Sequence, residues 1–348
     1  MNKNPFISFI MPIRNEMLFI ENTILSIFNQ KISNAKYEII VVDGMSNDGT
    51  REIIQRLIST INAIQIVDNP DKIVSTGFNL GLSKAKGDII IRVDGHSKLE
   101  SNFLINTINL FNKIDAECIG GPTKHIAKGI VGKSISIAQT LKFGVGNALF
   151  RQKIKKGSYV DTLAFGAYKR EVFKKIGGYD EELLRNQDDE FNFRLIQFGG
   201  RIWLDPSIKS FYYPRTSLKK LFSQYFQYGL YKIRVIQKRK ALASFRQIIP
   251  FLFVFVLIVT ALLWLINSNF YFLLVCLLIC YFSLGIFFTL SALLKRKRDY
   301  LSILILPITF FTMHCAYGFG FMIGLIYFFN KWHDVQIKDS QFKKSEFA

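Results

Sequence analysis

The chain has 348 residues, half of them hydrophobic, with 34 phenylalanines and 45 Lys or Arg against 26 Asp or Glu, a formal charge of +19. That length admits one large or two medium domains, and four cysteines, three of them inside apolar stretches, exclude a disulfide or zinc framework. No nucleic-acid motif accompanies the positive charge, so no nucleic-acid partner is expected.

Phe6–Pro12 reads as a strand. Phe6–Ile10 is too short for the apolar core of a signal peptide and runs straight into Pro12, Arg14 and Glu16, so the soluble part is expected in the cytoplasm. A helical pattern continues to about Gln30. Tyr37–Val42 is a second strand, ending in Asp43-Gly44-Met45-Ser46-Asn47-Asp48-Gly49-Thr50, and a helix begins near Thr50. Ala63–Val67 is a third strand, Gly77–Lys86 a third helix and Ile89–Val93 a fourth strand, short and β-branched. The alternation predicts a mostly parallel, doubly wound α/β sheet flanked by helices.

Three of these strands place polar residues just past their carboxyl ends: Arg14 with Glu16, Asp43 with Asp48, and Asp94 with His96. Ligands of open α/β sheets bind at those ends. Asp94 and His96, two apart, suit Mn²⁺ or Mg²⁺ already carried by a diphosphate, because such ions take few protein ligands. Taken singly, Asp43 and Asp48 read equally well as turn-forming and helix-capping residues.

Met11-Pro12-Ile13-Arg14-Asn15-Glu16, the run Val41–Thr50, and Asn79-x-Gly81 leading through Gly87-Asp88 to Arg92-Val93-Asp94-Gly95-His96 resemble the inverting glycosyltransferases of family 2, whose nucleotide-sugar domain has the GT-A fold. The subgroup most similar in pattern is the succinoglycan type, with Asp-x-His where the wider family has Asp-x-Asp. The resemblance runs in order along residues 6–240. It implies a nucleotide-sugar site drawing on Pro12, Arg14, Glu16, Asp43, Asp48, Asn79 and Asp94. Asp43 would meet the base, Asp94 the ribose and diphosphate, and His96 would stand with Asp94 at the metal position.

Further along, Arg185-Asn186-Gln187-Asp188-Asp189-Glu190 heads a helix. Acidic residues at a helix start are favoured by the dipole alone. A general base for an acceptor hydroxyl also needs a fixed carboxylate, which such a position provides. The family's motif here is Glu-Asp-x-Glu with the Asp as base; Asp188 matches it, Asp189 is the second choice, and Gln187 departs from the usual Glu.

From Pro206 to Arg246 there are ten Lys or Arg and no acid, a pattern that points to an anionic membrane leaflet. Within it Leu218, Leu221, Phe222, Tyr225 and Phe226 recur at helical spacing, an amphipathic helix for the membrane interface. Arg215, Gln224 and Tyr228 are the acceptor-side candidates. Gln224–Gly229 lies where processive members carry Gln-x-x-Arg-Trp, and its absence implies addition of a single sugar.

Ile248–Ile266, Phe270–Leu294 and Leu301–Phe329 carry no charge and each suffices to cross about 30 Å of hydrocarbon. Lys295–Arg298 would fall inside and Asn267–Asn269 outside. The expected layout is a cytoplasmic catalytic domain over 1–215, a basic interfacial segment over 216–247, about three transmembrane helices over 248–330 and a polar tail over 331–348, in a cell (inner) membrane protein. The resemblance implies transfer of a hexose from a UDP-sugar to a polyprenyl-diphosphate-linked saccharide at the membrane lipid, with a divalent metal, Mn²⁺ or Mg²⁺. Polyprenyl phosphate as acceptor, a nucleotidyltransferase and an inactive nucleotide-binding scaffold are the alternatives.

Overall fold

The computed structural model describes residues 5–31, 36–242, 244–295 and 300–333. Chain contacts divide them into two compact units, the first comprising the described residues up to 124 and 149–213, the second 125–148 and the described residues from 214 onward.

In the first unit, strand β1 (Phe6–Ile13), helix α1 (Ile20–Phe28), β2 (Lys36–Asp43), α2 (Thr50–Ile58), β3 (Ile64–Asp68), α3 (Val74–Lys84) and β4 (Ile89–Arg92) follow the predicted alternation. Then come β5 (Ser97–Leu99), α4 (Phe103–Phe111), β6 (Cys118–Gly120) and β7 (Thr123–His125). After an excursion into the second unit the chain returns as β8 (Ser158–Tyr159), β9 (Ala167–Lys169), α7 (Arg170–Ile176), α8 (Gln187–Gln197), β10 (Ile202–Leu204) and β11 (Ser210–Tyr212). For this second part, α5 (Ile130–Ala138) and α6 (Lys142–Val145) lie in the excursion, and α9 (Leu218–Arg239), α10 (Ile249–Ile266), α11 (Asn269–Lys295), α12 (Tyr300–Leu304) and α13 (Leu306–Tyr327) complete the unit.

The main sheet has the order β3-β2-β1-β4-β9-β6-β10-β8. Its first four strands are all parallel, as expected, but β9 runs antiparallel to both β4 and β6, and β8 antiparallel to β10. The sheet is therefore mixed rather than mostly parallel. The physical reason is that β4 leads to β9 not through one crossover helix but through β5, α4, β6, β7, α5, α6 and β8, so no strand–helix–strand unit imposes a parallel direction on β9. Ile7, Phe9, Ile39, Val41, Ile89 and Ile91 bury one face against α1, α2 and α4, while Ile10, Ile40, Val42 and Ile90 bury the other against Phe78, Phe173 and Phe191. Buried on both faces, these strands read as continuous apolar runs. Helix α3 begins three residues before the predicted Gly77, because Asn69 bonds the Ile73 carbonyl at 2.8 Å and the Thr76 hydroxyl at 3.1 Å and so closes the first turn.

The second unit is built on apolar helices. Three of them, Phe245–Ile266, Asn269–Leu294 and Leu306–Tyr327, are long and apolar enough to cross a membrane. The third predicted stretch is split at Ile305, so that Pro307 stands at the start of α13, where a missing N–H costs no helical bond. His314 in α13 meets the Tyr281 hydroxyl of α11 at 2.8 Å, a polar contact between helices. The amphipathic stretch at 217–227 is the first half of the longer α9, capped by Ser217, and its Leu221 and Tyr225 are buried with Ile135, Phe310 and Met313. Gly229 lies against the Tyr317 carbonyl and Gly320 against the Phe226 carbonyl, so α9 and α13 approach backbone to backbone through small residues. Most of the basic loop at 295–298 and the tail beyond His333 lie outside the described residues.

Gly320→Leu should therefore push α9 off α13 and destabilise this unit by about 1–3 kcal/mol. Gly285→Ala, whose added methyl meets only the Phe143 ring at 3.7 Å, should be neutral. Thermal unfolding of the detergent-solubilised protein, followed by intrinsic fluorescence, checks the pair.

Candidate active site

The parallel register sets the site. Ile13 pairs with Asp43, Asp43 with Asp68, and Ile10 with Arg92, so the carboxyl ends of β1, β2, β3 and β4 finish along one edge. The loops beyond them interlock. Asn15 donates its N–H to Ser46 Oγ at 2.9 Å and accepts from the Asn47 N–H at 3.0 Å. Glu16 N–H bonds Thr50 Oγ1 at 2.8 Å, and Met17 N–H reaches Asp48 Oδ2 at 3.2 Å. Asn15 and Met45 take left-handed backbone at φ 56° and 58°, which costs roughly 1 kcal/mol or more for each residue.

Asp43 and Asp48 are both committed to these loops. The Asp43 side chain is fully buried, accepting from the Ser46 hydroxyl at 2.5 Å and from Arg51 Nη1 at 3.1 Å, and Arg51 goes on to Asp68 at 2.6 Å. Asp43 thus shapes the turn at the end of β2. Asp48 accepts from the Thr50 hydroxyl at 2.5 Å and from its N–H at 3.1 Å. Slight burial pushes the Asp48 carboxyl up, but the bonds from Thr50 and Met17 outweigh it and hold the group below its usual range. Asn79 is engaged by the main chain of a neighbouring turn. Its amide bonds the main chain of Tyr179 in both directions at 2.8 Å and Glu181 at 2.8 Å, so it braces a turn. Pro12 is buried against Gly77, while Arg14 is exposed.

At the end of β4, His96 Nδ1 lies 2.7 Å from Glu16 Oε1, and its ring packs on Tyr212 with centroids 5.2 Å apart. Gly95 makes this possible: a Cβ there would sit 2.7 Å from Glu16 Cγ. Thr23 Oγ1 holds the turn through the carbonyls of Gly95 and Ser97 at 2.8 and 2.7 Å. A carboxylate on Nδ1 fixes the imidazole tautomer and makes Nε2 the nitrogen that would meet a cation. Asp94 Oδ1 takes Arg92 Nη2 at 2.5 Å, which leaves Oδ2 as its oxygen for the same ion. Carboxylate oxygen and imidazole nitrogen fit Mn²⁺ or Mg²⁺. Among the described residues no group of three His, Cys, Asp or Glu could hold a metal unaided. The residues thus fit an ion whose remaining ligands come from a substrate diphosphate.

The helix α8 separates the three acids. Asn186, left-handed at φ 64°, turns the chain into the helix. Glu190 is fully buried in an ion pair with Arg194 at 3.0 Å, and Arg194 also bonds the carbonyls of Ile176 and Gly178. Asp188 is 42% exposed and lies 3.6 Å from Arg92 Nη1. Gln187 is buried with its Oε1 lacking a donor among the described residues, a setting that favours a neutral residue where the family carries Glu. Arg92 stands in the motif run Arg92–His96, but the resemblance gives it no role. The signal for it is a lone charge inside the apolar run Ile89–Val93. It is 14% exposed, and its guanidinium sits over the Tyr179 ring, 5.9 Å from the centroid. Burial pulls the guanidinium down, but Asp94, Tyr179 and Asp188 outweigh it and hold it firmly protonated. Arg215, Gln224 and Tyr228 belong to the second unit, where Gln224 donates to the Tyr228 hydroxyl at 2.9 Å.

The model of Glycosyl transferase family 2 matches residues 8–177. A dolichyl N-acetylglucosaminyl phosphate diacetamidodideoxyglucuronosyltransferase of Methanococcus voltae is 31% identical, over 92% of this chain and 97% of its own length. The succinoglycan biosynthesis protein ExoA of Rhizobium meliloti is 31% identical over 69% of this chain and 73% of its own. Among solved structures, the mannosyltransferase PcManGT of Pyrobaculum calidifontis, in complex with GDP-Man and Mn²⁺, superposes with a TM-score of 0.56 over 91% of this chain and 88% of that one. At 16% identity that likeness concerns the fold alone.

The two acids of α8 should respond differently to neutralisation. Glu190→Gln leaves Arg194 charged and buried and is expected to cost on the order of 3 kcal/mol. Asp188→Asn at the exposed end is expected to stay within about 1 kcal/mol. Thermal melts of the two variants side by side read the difference as several degrees.

Proposed function

The chain belongs to glycosyl transferase family 2, and on that premise we propose that it is an inverting, membrane-anchored enzyme transferring one hexose from a UDP-sugar to a polyprenyl-diphosphate-linked saccharide. The product would be exopolysaccharide or another cell-surface polysaccharide. The observation that carries this reading is the accessible Asp188 carboxylate, held by Arg92 on the same guanidinium that grips Asp94.

Asp188 takes the proton of the acceptor hydroxyl, and the hydroxyl oxygen bonds to the anomeric carbon. The bond from that carbon to the diphosphate oxygen breaks with its electron pair, and UDP departs from the opposite face. Positive charge gathers on the sugar ring along the way, so alignment of the three atoms matters as much as basicity. A divalent ion held by Asp94 and His96 would supply charge stabilisation for the leaving diphosphate. Glu16 holds His96 in the required tautomer.

Three features support a lipid-linked acceptor. The Methanococcus voltae relative acts, by its name, on a dolichyl-linked sugar phosphate. Three helices of this chain are long and apolar enough to span a membrane. The segment from Pro206 to Arg246 carries only positive charge, which suits an anionic headgroup and a cytoplasmic leaflet. A saccharide hydroxyl is favoured over polyprenyl phosphate as nucleophile because only the hydroxyl needs a base such as Asp188. The catalytic unit would then face the cytoplasm from the inner membrane.

A donor screen following UDP release from UDP-glucose, UDP-galactose and their N-acetylated analogues, with Mn²⁺, Mg²⁺ or EDTA and a membrane lipid extract, tests the reading. One donor should be consumed in the presence of metal. Asp188→Asn should lower transfer by about a hundredfold or more while still binding UDP, and near-normal turnover would remove it as base. His96→Ala should raise the metal concentration needed for half-maximal rate by about ten- to a hundredfold. An unchanged requirement would take His96 out of the metal site.

A further inference from the structure

We propose that Arg92 is a positioning residue that sets the base against the donor: its two arms hold Asp188, on the acceptor side, and Asp94, on the donor side, as one rigid carboxylate–guanidinium–carboxylate unit. This rests on the reading of Asp188 as base and Asp94 as a donor-site residue.

Four observations carry it. Arg92 leaves an otherwise apolar strand whose register against β1 fixes its backbone, Ile10 being its partner. Nη2 meets Asp94 Oδ1 at 2.5 Å and Nη1 lies 3.6 Å from Asp188 Oδ2, so both carboxylates sit on one planar fork. The third side of the guanidinium is closed by Tyr179, which is itself immobilised: Asn79 bonds its backbone N–H and carbonyl, and its ring stacks on Phe78 with centroids 4.1 Å apart. Finally, Arg92 Nε is buried and has no acceptor among the described residues, so the contacts at the two arms dictate where the group sits, at the cost of one of its own donors.

The consequence concerns alignment. Asp94 lies in the turn just past β4 and Asp188 in the first turn of α8, far apart along the chain, so their relative placement rests on contacts such as those with Arg92. A planar, permanently charged fork spans such a pair; an ammonium on a flexible stem does not reproduce it. Displacements of about 1 Å at a reacting centre cost about a hundredfold in rate. Loss of Arg92 should therefore appear in the turnover of the ternary complex and leave nucleotide affinity largely intact.

The test is a double-mutant cycle on the detergent-solubilised full chain, with Arg92→Gln, Asp188→Asn and the pair, together with Arg92→Lys. Acceptor-dependent kcat, the donor KM and calorimetric UDP affinity are measured for each. Arg92→Gln is expected to lower kcat by about ten- to a hundredfold, with UDP affinity within about threefold and Arg92→Lys recovering only part of the rate. In the Asp188→Asn background the same change should cost less than about threefold, because its effect runs through that carboxylate. Equal losses in both backgrounds, a kcat within about twofold of the parent, or a fall in UDP affinity that matches the fall in kcat would each overturn the proposal. If Arg92→Gln does not fold, Arg92→Lys, which keeps the buried charge, carries the same cycle. A parent enzyme that consumes no UDP-sugar would defeat the functional reading instead, and the two failures are thereby distinct.

Discussion

Strand β1 pairs in parallel with β2 on one side and β4 on the other, and the candidate groups at the carboxyl edge of the sheet depend on that pairing. Parallel register brings the carboxyl ends of the strands to one edge, whereas an antiparallel arrangement would scatter them between two. Burial on both faces enforces it, since a one-residue slip would turn Ile7, Phe9 and Met11 away from the layer they fill. The apolar runs that make the strands buried are thus what aims Glu16, Arg92, Asp94 and His96.

The loops at that edge are stiff. Left-handed backbone at Asn15, Met45 and Asn186 persists only where surrounding bonds over-determine it, and all three lie in the loops that carry candidate groups. Asp43, Asp48 and Arg51 supply those bonds around the first two loops, and Arg194 with Asn79 does so around the Gly177–Tyr179 turn. Several residues that a family motif marks for the substrate also hold the frame in which Asp94, His96 and Asp188 stand. A second consequence is electrostatic. The site alternates acid and base, with Glu16 on His96, Asp94 on Arg92 and Arg92 on Asp188, so each of these acids has an imidazole or guanidinium beside it.

The β/α alternation, the strand ends and the three long apolar helices were all legible in the sequence, because hydrophobic period and punctuation report them directly. The antiparallel β9 was not: a three-residue strand beside a helix start has no period to read. The split at Ile305 and the burial of α9 against α13 were hidden for another reason, since apolar residues facing lipid and apolar residues facing a neighbouring helix look alike. At the site, the motif gave Asp188 a role and gave Arg92 none, because the contact that marks Arg92, the one with Asp188, comes from a distant part of the chain. Glu190 and Asp188 are indistinguishable as acids in one helical turn; only burial and the Arg194 partner separate them.

The most direct test of the account is the anomeric configuration of the product, read by proton NMR after transfer from the proposed UDP-sugar donor. One displacement driven by one base, Asp188, inverts the centre, so an α-linked donor should give a β-linked product. A product of retained configuration would require attack from the leaving group's own face or a covalent intermediate, and would contradict the assignment of Asp188 at its root.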